Sequence, residues 1–153
     1  MGIRARPSLA AVLLGTALAA AAGDAPVSYQ SIPLEGLALP HPCTYEPVDF
    51  HGALRLTTRS DADAAGVTLT QHVDAAEASA VGRASGRVFS SPSAFDLSVR
   101  LGRPPASTSV LVSPRFLGGG SPADFTAHLT LRLSVEADGR VEAARTGAVL
   151  TCG

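Results

Sequence analysis

Phe125-Thr126-Ala127-His128-Leu129-Thr130-Leu131-Arg132-Leu133-Ser134-Val135-Glu136 alternates apolar and polar without a break. Phe125, Ala127, Leu129, Leu131, Leu133 and Val135 fall on one side of an extended chain. Thr126, His128, Thr130, Arg132, Ser134 and Glu136 fall on the other. Successive side chains of a strand point to opposite faces, so a period of two held this long predicts a strand with one face buried. A helix would scatter the same apolar residues around its circumference. Asp138-Gly139 then sits between two β runs, and both residues tolerate positive φ, which predicts a two-residue type I′ hairpin. The chain returns through Val141, Val149 and Leu150 to Cys152.

Upstream the same period recurs. Val48, Phe50, Leu54 and Leu56 oppose Asp49, His51, Arg55 and Thr57, and a turn is predicted at Asp61, Asp63 and Gly66. Val67, Leu69 and Val73 then oppose Thr68, Thr70, His72 and Asp74. Residues 75–86 are rich in alanine, but Gly82 and Gly86 favour a bulged strand and loop over a helix. Val88-Phe89 opens the next piece, and Phe95, Leu97, Val99 and Leu101 alternate cleanly before Arg103-Pro104-Pro105. Val110 and Val112 start another strand, with Pro114 marking an edge or a bulge. Residues 118–122 read as a flexible loop. Ahead of these strands, residues 23–41 contain Pro33 and Pro40, which predict a lead-in arm or edge strand rather than a helix.

The fold class is therefore all-β, with one antiparallel domain over residues 42–153 and roughly seven to nine strands. Two architectures fit, a small closed β-barrel or a β-sandwich. The two cysteines, Cys43 and Cys152, stand at the two ends of the domain. In an exported protein they read as one structural disulfide. No CxxC pairing or neighbouring base supports the competing reading of two reactive thiols. Closing a loop of about 110 residues stabilises a fold by roughly 4–5 kcal/mol in the chain-entropy picture. Such a bridge brings first and last main strands together, which favours the barrel, because closure removes two unpaired edges.

Export itself is read from the first 22 residues. Arg4 and Arg6 precede an apolar run of about a dozen residues, and Ala20-Ala21-Ala22 offers the small side chains of a cleavage site, the order of a secretory signal peptide. No other stretch approaches the roughly 20 apolar residues of a membrane span. Removal of Arg4 and Arg6 leaves ten arginines against thirteen acidic residues, a net charge near −3, with no lysine anywhere. A mildly acidic chain without basic clusters is a poor partner for nucleic acid or anionic membranes, both of which reward concentrated positive charge.

The run Pro42-Cys43-Thr44-Tyr45-Glu46-Pro47-Val48, with Gly52 and Leu56 after it, resembles the opening of a family of small secreted β-proteins of actinobacteria and related bacteria. Members begin with a PCxGExV-like stretch and continue with a His-x-Asn-x-Gln segment, a Gly-x-Gly and a Thr-Gly turn. They close with a Phe-rich strand, an Asn-Gly hairpin and a terminal Cys. Here His72-Val73-Asp74, Ala80-Val81-Gly82 and Ser85-Gly86 stand for the middle pieces. Asp124-Phe125, His128, Asp138-Gly139 and Cys152 stand for the last. The resemblance covers residues 32–153. Tyr45 replaces the usual Gly, Asp74 the Asn, Ala80 the first Gly and Arg132 a second His. The resemblance implies export, the disulfide and a β fold, and it brings no activity with it.

Candidate chemistry is sparse. Of four histidines, His51, His72 and His128 lie on the less apolar faces of separate strands and are the weak candidates for a metal site, with Asp74 or Asp124 as further ligands. No two have a local i, i+2 spacing, so ordinary hydrogen-bonded histidines are the simpler reading. Asp124 and Glu136 sit at opposite ends of one strand, roughly 40 Å apart, and cannot pair as acid and base. No G-x-S-x-G turn is present, and residues 118–120 are followed by neither a helix nor a lysine that would make a phosphate cradle. No catalytic residue and no cofactor is implied. Two functions remain: a secreted β-barrel holding a small apolar ligand among its aliphatic side chains, or an extracellular structural or interaction protein with no small-molecule ligand.

Overall fold

The structure, a computed structural model, describes residues 25–119 and 123–153. Residues 1–22, read above as a signal peptide, and the end of the glycine-rich loop at 120–122 lie outside the described residues. Every regular element described is a strand: β1 (Val27–Pro33), β2 (Ala38–Pro40), β3 (Pro47–His51), β4 (Ala53–Asp63), β5 (Gly66–Asp74), β6 (Ser79–Gly82), β7 (Val88–Ser90), β8 (Ala94–Leu101), β9 (Ala106–Val112), β10 (Arg115–Phe116), β11 (Phe125–Val135) and β12 (Val141–Cys152). They make three four-stranded antiparallel sheets. The first has the order β1-β4-β5-β8 and the second β2-β3-β6-β7. In the third, β11 pairs with β12 on one side and with both β9 and β10 on the other.

The first two sheets are halves of one meander. The chain passes along it four times, as β1–β2, β3–β4, β5–β6 and β7–β8, and each pass breaks at a corner between the sheets. Gly52 makes the tightest corner: its φ is +77°, and a Cβ there would lie 1.9 Å from the carbonyl oxygen of Glu77. Because Gly52 inserts without changing the alternation, Val48, Phe50, Leu54 and Leu56 all remain buried on one side. The twelve strands exceed the roughly seven to nine read from the sequence, because four passes break at corners and a fifth is interrupted at Pro114 between β9 and β10.

The closed barrel does not form. Among the described residues the backbones of the second and third sheets are paired at a single bridge, in which the amides of Ser90 and Leu117 donate to each other's carbonyls at 3.1 and 2.9 Å. Between β1 and β12 there is no ladder. Gln30 Nε2 instead donates to the Val141 carbonyl at 3.1 Å across the gap. The edge pass beside β12 carries Pro33 and Pro40, which have no N–H to give a new neighbour, and on the other side Pro114 interrupts the edge β9–β10 that lies beside β8. The disulfide Cys43–Cys152 is present, with Cα atoms 5.6 Å apart. It ties the loop before β3 to the end of β12, so the neighbour of the last strand is the lead-in pass and not the first main strand.

Two turns differ from the sequence reading. Asp61 is inside β4, paired with Thr68, and the turn is confined to residues between Asp63 and Gly66. The last hairpin has three loop residues: Glu136 donates to Arg140, the Gly139 amide donates to the Glu136 carbonyl, and only Gly139 has positive φ, at +85°. That is the geometry of a turn followed by a left-handed glycine, which a two-residue type I′ reading overlooks.

The core falls into two apolar clusters, one around Phe50, Phe116, Phe125 and Leu129, the other around Leu69, Leu101, Leu133 and Val135. A row of inward polar residues crosses the first sheet between them: Ser28 is paired with Thr58 and Thr58 with Gln71. Gln71 is fully buried and its Nε2 donates to Thr58 Oγ1 at 2.9 Å.

Glycine substitutions separate strain from collision. Gly36 has φ +79° with nothing near an added Cβ, whereas Gly52 has both the positive φ and the Glu77 carbonyl. In chemical denaturation, Gly36→Ala is expected to cost about 1 kcal/mol and Gly52→Ala more than about 3 kcal/mol. Equal losses would contradict the corner assignment.

Candidate functional site

The three histidines named as metal candidates are dispersed. His51 is exposed on β3 in the second sheet, His72 is on the outer face of the first, and His128 is on the outer face of the third. Among the described residues no three His, Cys, Asp or Glu side chains converge as a metal site. His72 Nδ1 lies 2.8 Å from Asp96 Oδ1. His128 lies between Ser113 Oγ and Thr151 Oγ1, each at 2.9 Å, and so links the flanking strands across β11. Asp124 accepts from the Gly118 amide and lies 3.6 Å from Arg115, which steadies the mouth of the glycine-rich loop.

The histidine that the sequence did not single out is the buried one. His41 is wholly inaccessible, with Phe125 edge-on at 5.1 Å between ring centres and Phe89 at 5.5 Å. The amides of Cys43 and Thr44 both donate to its Nδ1, at 3.1 and 3.2 Å. Nδ1 must then be an acceptor, so the ring proton is on Nε2, which donates to the Ala123 carbonyl at 2.7 Å. The signal available in the sequence was position alone: His41 stands between two prolines, two residues before Cys43.

This histidine organises the loop at 41–46. The His41 amide donates to the Glu46 carbonyl and the Tyr45 amide to the His41 carbonyl. Closing so short a loop forces Tyr45 to φ +62°, a left-handed conformation rare for a large side chain. Tyr45 is also 81% exposed. It forms the rim of an apolar cleft of about 280 Å³, whose walls include Leu39, Pro42, Val149 and Leu150, with the buried His41 behind them. Val149 is 64% exposed, so the cleft opens to solvent between the two edge strands β2 and β12.

Beside the loop, carboxylates brace the following turn. Glu46 accepts from the backbone and hydroxyl of Ser85 and from the Ala84 amide, and these bonds hold its carboxyl below the usual 4.5. Arg83 makes a bidentate pair with Asp49 at 2.7 Å per contact and holds that carboxyl below 3.8; the pairing in turn raises Arg83. Arg100, with the amides of Ala65 and Gly66, does the same for Asp63.

A second cleft, of about 610 Å³, lies on the outer face of the first sheet around Tyr29, Arg55, Thr57, His72, Asp74 and Glu77. No family model, no curated protein and no solved structure matches the chain.

Carboxyl groups depressed in the folded state contribute stability above their unfolded values, and that contribution is lost as pH falls through the folded ones. The unfolding free energy is therefore expected to decline on acidification below 4.5, the ordinary value for Glu46, and further below 3.8 for Asp49 and Asp63. Glu46→Gln and Asp49→Asn should each flatten part of that slope in urea titrations run as a function of pH. An unchanged slope in both variants would contradict these assignments.

Proposed function

We propose that the chain is an extracytoplasmic binding module for a small apolar ligand, held in the cleft under Tyr45. The observation that carries this reading is the conformation of Tyr45. A left-handed backbone costs a non-glycine residue about 1–2 kcal/mol, and glycine would relieve it. The family resemblance has glycine at this position. A large aromatic ring in a strained conformation, exposed to water, is poorly explained by stability and well explained by contact with something outside the fold.

The lining supports an apolar occupant. Leu39, Pro42, Val149 and Leu150 offer no charge and little hydrogen-bonding capacity, so a polar ligand would lose its hydration without replacement. A volume of about 280 Å³ suits a single fused-ring or short acyl group rather than a long chain. The sequence reading places the ligand inside a barrel; with no barrel formed, the space between the sheets is an inferior candidate. Phe50, Phe89, Phe116, Phe125 and the leucines of β11 are packed against one another in the interior. The signal-like segment and the disulfide agree with work outside the cytoplasm.

The test uses 1-aminoanthracene, an uncharged fluorescent probe. Its emission is expected to rise saturably with the native protein. Tyr45→Gly is expected to weaken binding by about tenfold or more while raising stability by about 1 kcal/mol, or about 4 °C in Tm. Opposite signs for the two effects distinguish a binding residue from a structural one. Absence of probe binding to the native protein, or binding unaltered by Tyr45→Gly, would overturn the proposal.

A further inference from the structure

We infer that the outer face of the first sheet carries a second, separate site, for an uncharged saccharide chain. The strand register builds it. Tyr29 is paired with Thr57, Thr57 with His72, and His72 with Asp96, so these four side chains form one row across the sheet. The next row runs Ser31, Arg55, Asp74 and Ala94. Short Thr57 between Tyr29 and His72 leaves a trough two strand spacings wide, roughly 10 Å, enough for one sugar ring. The cleft of about 610 Å³ at this place is within the size range of small-molecule sites.

The chemistry of the walls selects the ligand. Tyr29 is 78% exposed and presents an aromatic ring beside polar neighbours. Arg55 is held by Glu77 through contacts of 2.8 and 2.5 Å, so its guanidinium is already engaged. Asp74 adds a second carboxylate, which gives the cleft an excess of negative charge and disfavours phosphates and acidic glycans. Asp74 accepts from the Ala76 amide through Oδ1 alone, so an apolar ligand would strip water from its second oxygen, from the Thr57 hydroxyl and from His72 Nε2 without replacing it. A sugar has both features required: a C–H face to lie against the Tyr29 ring, and hydroxyls that donate to carboxylates and accept from Thr57. Asp96 fixes His72 through Nδ1, and among the described residues Nε2 has no protein partner. That nitrogen is left for a ligand hydroxyl.

The chain has two tyrosines and no tryptophan, and each tyrosine belongs to one cleft. Tyr45→Phe therefore leaves Tyr29 as the only strong intrinsic fluorophore, and the saccharide site can be read without the apolar one. The experiment titrates disulfide-intact Tyr45→Phe protein with cellohexaose, chitohexaose and maltohexaose, up to about 10 mM, with calorimetry alongside. At least one hexasaccharide is expected to change Tyr29 emission saturably. Tyr29→Ala and Asp74→Ala, in the otherwise native protein, are expected to weaken its calorimetric binding about tenfold and to leave 1-aminoanthracene binding unchanged. Three results would each overturn the inference: no hexasaccharide bound, binding undiminished in both variants, or tighter binding of the polyanion polygalacturonate than of every neutral chain. None of them bears on the apolar cleft, whose own probe gives a separate answer.

Discussion

The bond from His41 Nε2 to the Ala123 carbonyl joins the loop at 41–46 to the chain entering β11, inside an aromatic shell made by Phe89 and Phe125. A buried carbonyl and a buried imidazole would each cost free energy if left unpaired, so the contact admits little variation in how the two sheets meet. Two residues on, Cys43 ties the same loop to Cys152, which is itself paired with Phe125. The covalent and the hydrogen-bonded links thus converge on one place. Here sheets whose only described backbone bridge is Ser90–Leu117 are locked together, and here the loop is drawn tight enough to force Tyr45 into its left-handed conformation.

From that junction the rest of the architecture follows as a meander that does not close. Four passes bend at corners so that each contributes to two sheets, and the third sheet covers the apolar side. Alternation assigns the two faces different tasks. Inward residues of β4, β5 and β11 fill the two core clusters, interrupted by the polar row Ser28, Thr58 and Gln71. A register slip of one residue would turn His72 and Arg55 inward and the leucines out, so the buried row and the outer cleft depend on the same pairing. The outer face keeps Tyr29, Thr57 and His72 in line because the inner face cannot move.

The parts of this fold legible in the sequence are those governed by local periodicity. β11 alternates buried with half-buried or exposed residues as its pattern requires, and the faces of β4, β5 and β8 are those the pattern assigns. The corners were not legible, because Gly52 keeps the alternation in phase while turning the chain; nothing in a period-two pattern records a bend. Closure was misread for a related reason. A bridge between distant cysteines reports proximity, and proximity of β12 to the lead-in pass does not supply the backbone ladder a barrel needs. The candidate sites were legible only in part. His72 was noted for its outward position, but its row depends on long-range register. His41 and Tyr45 owe their properties to a loop conformation that composition does not encode.

The account turns on the protonation of one ring. Long-range ¹H–¹⁵N correlation of the histidine side chains reads it directly, since the two ring nitrogens shift differently according to which carries the proton. With Nδ1 accepting from Cys43 and Thr44, His41 should show a neutral ring protonated at Nε2, with a slowly exchanging Nε2–H. A ring protonated at Nδ1, or one whose proton exchanges with solvent as freely as that of exposed His51, would contradict the junction on which the cleft under Tyr45 depends.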